Sequence, residues 1–417
     1  MMAHAEAISI WAISLAGIFC MLLRPRRISE AYWVCGAALV LVASRLLPLR
    51  QAAHAVREGF DVYLFLTGMM LLAELAREEG VFEWLADTAA QHSGRSPSRL
   101  FMLVYAVGIA VTALLSNDAT AVVLTPAVLA VVRRAKVSPK PYLLACALIA
   151  NAASFVFPIS NPANLVIFDQ HMPPLYEWLK VFAVPSVVAI AVTFACLRWL
   201  SRRELRGSIS SSSDPAALSR EGKLAFAGLL AAAAALLVFS TFGLPLGAPT
   251  CIAAVFAVAI VTFRDRTIPA RIVKGVSWSV LPLVAGLFVI VEALQNAGLR
   301  AGGLTGLQFL AQMPTWAAKT SAAFSVAFLS NLMNNLPVAL MGGAAIRQAH
   351  ESGIVAHAIL IGIDLGPNLS VTGSLATILW LIALRREKIE ISAWEFLKVG
   401  ALAMPLALLS ALLFLRS

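Results

Sequence analysis

Long apolar stretches separated by short charged ones dominate the chain. Continuous runs at 8–23, 31–47, 60–76, 178–200, 223–241, 248–263, 277–293 and 393–415 come close to or reach the roughly 17–25 residues that carry a helix across a hydrocarbon layer about 30 Å thick. Four further stretches are apolar at both ends and polar in the middle. Residues 100–132 carry Ser116, Asn117, Asp118 and Thr120 at their centre, and 318–346 repeat the plan around Ser330, Asn331, Asn334 and Asn335. Each is too long for one simple span, which predicts a re-entrant hairpin of two half-helices meeting inside the membrane. Residues 142–168 are interrupted by Pro158, Ser160, Asn161, Pro162 and Asn164, and 354–384 by Asp364, Gly366, Pro367 and Asn368. Proline ends or kinks helices, so these two read as spanning helices with an unwound middle.

Composition fixes the solvent. Of the 417 residues, 60% are hydrophobic and 13% charged, with a mean hydropathy of +0.84, against roughly 25% charged in a soluble domain. Soluble enzymes, secreted disulfide scaffolds and DNA-binding domains are excluded, and an all-α polytopic membrane protein follows. The net charge of +10 sits in short loops, where it sets topology rather than marking a nucleic-acid surface. With the N-terminus outside, the basic loops at 24–27, 133–140, 198–206, 264–274 and 385–388 all fall inside, provided that both hairpins return to their own side. Arg45, Arg50 and Arg57 break this pattern. The first apolar run has no Arg or Lys on its N-terminal side and no cleavage pattern after it, which predicts a retained span rather than a signal peptide.

The two halves echo each other. Leu115, Ser116 and Asn117 recur as Leu329, Ser330 and Asn331, and Glu74 stands opposite Glu292 in similar apolar surroundings. The expected organisation is an N-terminal repeat, 1–206, with hairpin 100–132 and broken helix 142–168; a cytoplasmic linker, 207–222; and a C-terminal repeat, 223–417, with hairpin 318–346 and broken helix 354–384. This amounts to about ten spanning helices plus two re-entrant hairpins. An odd number of crossings per half inverts the second half relative to the first, which is the plan of a secondary transporter.

Half-helices in hydrocarbon leave backbone groups without partners, at several kcal/mol each. The short polar side chains of Ser116, Asn117, Thr120, Ser160, Asn161, Asn164, Ser330, Asn331, Asn334, Asn335 and Asn368 suit two tasks: completing those bonds, or lining a central site for a small polar solute or ion. Asp118 and Asp364 are the candidate proton-coupling groups, because a carboxylate at such depth often marks an ion or proton pathway. Glu74 and Glu292, near the ends of their spans, suit solvated or gating roles. His54, His92, His171, His350 and His357 show no metal-ligand spacing, and the five cysteines are scattered singly. No nucleotide-binding motif is present in a usable context. No cofactor or metal is implied, and the work must be driven by an ion gradient or by a separate ATPase subunit.

At residues 114–126, 150–165, 329–339 and 362–377 the chain resembles the arsenical pump membrane proteins, arsenite and antimonite efflux permeases of the ion-transporter superfamily. The second of these motifs adds Asn151 to the candidate solute-binding residues. Related carboxylate carriers place a threonine where Asp118 stands, and Leu332 occupies the equivalent place in the second tip. The resemblance implies export of the trivalent arsenic and antimony hydroxides across the inner membrane in exchange for protons, sometimes with a cytoplasmic ATPase as partner. A dicarboxylate would gain from Arg or Lys near the tips, yet residues 114–126, 150–165 and 329–339 contain neither. A sodium/proton antiporter and an exporter of silicic or boric acid remain the alternatives, with a channel or membrane scaffold as a further class.

Overall fold

The computed structural model describes residues 4–168, 172–209, 217–263, 267–349 and 353–416. Residues 210–216 of the expected linker, together with His171 and His350, lie outside the described residues. Among those described, the structure is all-α. Six helices are long and apolar enough to cross a membrane, or seven if the bent pair Leu49–Glu58 and Phe60–Glu78 counts as one span. The difference from about ten has a physical origin. Glu30–Ala43 and Gly247–Thr262 are apolar but short, and each interrupted span divides its apolar residues between two pieces.

Elements recur in the same order along the two halves. His4–Leu23 and Glu30–Ala43 precede a short helix, Leu49–Glu58, and the span Phe60–Glu78; Arg220–Thr241 and Gly247–Thr262 precede Ile268–Gly275 and Val280–Leu294. The short helices are amphipathic. Arg50, His54, Arg57 and Glu58 lie exposed on Leu49–Glu58, while Ala52 and Ala55 are buried, and a 47° bend joins this helix to the next. That is the form of a segment lying in an interface. The basic cluster that defied the loop pattern is therefore largely the polar face of a surface helix, and Arg45 sits in the turn leading to it.

The helices assort into two packing groups. In one, Phe60–Glu78 packs on Gly247–Thr262 and Val280–Leu294 on Glu30–Ala43, so that the fourth helix of each half lies against the second helix of the other. The second group contains the interrupted elements. Pro97–Leu114 packs on Lys140–Ala152, Thr315–Met333 on Ile354–Leu365, and Leu175–Leu200 on Ala393–Phe414. The last two helices each carry an internal proline, Pro185 and Pro405. Asn335–Ala349, returning from the second tip, lies against the short Pro162–Phe168.

Small residues set these distances. A Cβ added at Gly366 would meet Ala327 Cα at 2.6 Å, and one at Gly362 would meet the Ala323 carbonyl oxygen, so the helix before the second break lies directly on the hairpin's first helix. Overpacking such a contact costs about 1–3 kcal/mol. Gly366→Val is expected to lower both membrane abundance and the melting temperature in detergent. Gly36→Ala, where an added Cβ meets nothing within 4 Å, should leave both unchanged.

Candidate solute site

Each interruption is closed by its own polar side chains. At the first tip, Asn117 Oδ1 accepts from the Asp118 N–H at 2.9 Å and Ser116 Oγ from the Ala119 N–H at 3.1 Å, which caps the returning helix. That helix opens with a wide turn over Ala119–Leu124 before becoming regular at Thr125–Arg134. At the second tip, Asn334 takes a positive φ of 74°, which a side-chain amide tolerates better than most groups. Its Oδ1 accepts from the Leu336 N–H, and the Asn335 N–H donates to the Gly373 carbonyl at 2.8 Å.

Both breaks follow one scheme. Asn161 and Ser374 are the N-caps of Pro162–Phe168 and Leu375–Arg386, accepting from the Ala163 and Thr377 N–H groups at 3.0 and 3.2 Å. Such caps are worth about 1 kcal/mol each in water and answer a larger penalty in hydrocarbon.

Four helix N-termini meet at one place. A cavity of about 30 Å³ is lined by Asn117 and Asp118 before the first returning helix, Asn335 at the start of the second, Asn161 and Pro162 at the first break, and Leu375 at the second. A larger neighbour of about 90 Å³ shares Asp118 and Pro162, adds Ser116 and Glu74, and is walled mostly by apolar residues of Phe60–Glu78 and of Ala119–Leu124 and by 275–280. Both cavities lie where the two packing groups face each other. No lysine or arginine lines either one.

The expected site residues divide clearly. Ser116, Asn117, Asp118, Asn161 and Asn335 line the cavities. The other nine brace the interruptions. Thr120 pairs with Thr112 at 2.7 Å; Ser160 donates to the Ala113 carbonyl; Asn164 donates to the Ser154 carbonyl inside the first break. Ser330 bonds within its helix, and Asn331 donates to the Ala327 and Gly366 carbonyls while accepting from Ser370 at 2.6 Å. Asn334 caps, Asn151 and Asn368 bond each other at 3.0 Å, and Asp364 accepts from Asn161 at 2.6 Å. Leu332 lies on the exposed face of its helix, away from the cavities.

Residues overlooked in the sequence are Ser370, Thr372, Ser374 and Thr377, which knit the second break to Asn331 and Asn151. Their signal was available: residues 370–377 hold four hydroxyls directly after a Gly-Pro-Asn interruption.

The groups left for a solute are few. Among the described residues, the side-chain carboxyl of Asp118, the amide nitrogen of Asn117 and the amide of Asn335 have no internal hydrogen-bond partner, and Ser116 retains its O–H for donation. Glu74 is different, because Arg77 holds both of its oxygens through bonds of 2.9 and 2.5 Å. The cysteines line neither cavity. Among the described residues no group of three His, Cys, Asp or Glu could hold a metal.

Comparison with known proteins places this arrangement. The sequence profile of the citrate transporter family matches residues 1–366. The arsenical pump membrane protein of Yersinia enterocolitica is 30% identical over 80% of each chain, and that of Escherichia coli K12 is 29% identical over the same shares. In three dimensions the chain is similar to the YdaH transporter of Alcanivorax borkumensis, with a TM-score of 0.59 at 16% identity, covering 92% of this chain and 96% of the other. That likeness concerns the fold alone. The chain is a multi-pass membrane transporter of small solutes; it is distantly homologous to the arsenical pump membrane proteins, and it belongs to the citrate transporter family.

Proposed function

We propose that this chain exports arsenite and antimonite, as their neutral trihydroxides, across the inner membrane in exchange for protons. The observation that carries the reading is Asp118, a carboxyl with no internal partner among the described residues, set where four helix N-termini converge and no basic side chain lines the cavities.

Electrostatics narrows the solute. Helix N-termini carry partial positive charge and disfavour a bare cation, which counts against sodium. A tricarboxylate would meet the Asp118 carboxylate with no Arg or Lys to hold it, so the family's name does not fix the cargo. A small neutral polyol meets neither objection. Its oxygens accept from the Asn117 and Asn335 amides and from Ser116, and its hydroxyls donate to Asp118. Arsenite near neutral pH is such a solute, and the relatives named as arsenical pumps favour it over silicic or boric acid. With no cysteine at the cavities, recognition proceeds through hydroxyls rather than arsenic–sulfur bonds.

Coupling follows from the same carboxyl. A proton on Asp118 removes its charge before the empty site crosses the low-dielectric region, and solute binding replaces that proton. Two inverted-topology repeats supply the alternation. The recurring element order and the exchanged pairing of Phe60–Glu78 with Gly247–Thr262 and of Val280–Leu294 with Glu30–Ala43 support this arrangement, with 1–206 and 223–417 as the repeats and 207–222 as a cytoplasmic linker.

Cysteines introduced at the exposed positions Ser138 and Ser208 into an otherwise cysteine-free protein are expected to react with an impermeant thiol reagent only from the cytoplasmic face. Labelling of either from outside contradicts the inverted topology. In everted vesicles with an imposed pH gradient, Asp118→Asn is expected to cut uphill arsenite accumulation at least tenfold while passive arsenite exchange continues. Unimpaired accumulation removes Asp118 from the coupling step.

A further inference from the structure

The two broken spans are tied together by a reciprocal pair of hydrogen bonds. Asn161, the N-cap after the first break, donates its amide to Asp364 Oδ1 at 2.6 Å. Ser374, the N-cap after the second break, donates to Asn151 Oδ1 at 3.3 Å. Asn151 and Asp364 occupy the same place, one residue before the ends of Lys140–Ala152 and Ile354–Leu365, and each stands ten residues ahead of the N-cap in its own half. Each capping side chain thus serves its own half-helix and the opposite half of the molecule at once. All four residues are essentially inaccessible to solvent.

We infer that Asp364 is a positioning residue, holding the Asn161 amide in place at the solute site through a clasp in which its charge has no part. Asn151 performs the corresponding task with a neutral amide, so the link requires a hydrogen-bond acceptor and no ionisable group. Asp364 is fully buried and lines neither cavity, and its Oδ2 has no hydrogen-bond partner among the described residues. Among the described residues Asp364 takes part in no salt bridge: its side chain accepts a hydrogen bond from Asn161, and Lys319, on the packed helix Thr315–Met333, donates instead to the Leu412 and Leu415 carbonyls. Asp118, in contrast, borders both cavities. The two aspartates that the sequence groups as proton carriers therefore divide the work. Asp118 meets the solute, and Asp364 fixes the frame that presents Asn161 beside it.

This assignment rests on the transport reading for its functional arm and on geometry alone for its stability arm, which allows the two to fail separately. In everted vesicles, Asp364→Asn is expected to keep arsenite accumulation within about twofold of the unmodified protein, with an unchanged pH profile. Asp364→Ala is expected to lower the maximal rate at least tenfold. In detergent, a double-mutant cycle of Asn161→Ala and Asp364→Ala on melting temperature should be non-additive, the double variant melting no lower than the worse single one, as bonded partners behave. Loss of pumping or a shifted pH profile in Asp364→Asn at normal abundance overturns the assignment and makes Asp364 a titrating group. Additive losses in the cycle also overturn it. Failure of the unmodified protein to pump arsenite refutes the transport reading instead, and the cycle still decides the clasp.

Discussion

A peptide group in hydrocarbon must be hydrogen-bonded, and this chain interrupts four helices where that requirement is hardest to meet. Each exposed N–H or C=O would cost several kcal/mol, so the interruptions persist only because side chains and neighbouring carbonyls answer them. Ser116, Asn117, Asn161, Asn334 and Ser374 cap the starts of half-helices. Asn331 and Asn164 donate to carbonyls freed at the breaks. Most of the polar content of the membrane-embedded core is spent in this way, which leaves a small set of groups facing the cavities.

The same constraint creates the site. An interrupted helix has a free N-terminus, and when four such ends are drawn to one point their dipoles make that point receptive to oxygen atoms. Asp118 offsets this field without an opposing side-chain cation, since Arg77 is committed to Glu74 and Glu78. The result is a centre with donors and one acceptor in rough balance. In the proposed cycle, movement of one packing group against the other changes what a solute held between them faces.

Much of this was legible in the sequence. Polar residues amid apolar ones located the tips and breaks, because Asn117 and Asn368 hydrogen-bond at those interruptions. What periodicity cannot show is which way a polar side chain turns. Thr120 and Ser330 belong to the motifs yet bond within the frame, and the second tip turns at Asn334, beyond Leu332, through a backbone conformation that no composition reveals. The link between Asn161 and Asp364 joins residues 203 positions apart and exists only once both breaks are folded. Arg50 and Arg57 failed the loop rule because it assumes loops, whereas they lie on a surface helix.

The central claim is that a neutral hydroxylated solute and a proton share one carboxyl, with neither a carboxylate nor a metal cation as cargo. Purified protein in liposomes loaded with a pH-sensitive dye tests it directly. An inward gradient of arsenite or antimonite should alkalinise the lumen as protons leave in exchange, and equal gradients of citrate or sodium should produce no signal. Proton movement driven by citrate or sodium, with none driven by arsenite, would contradict the account.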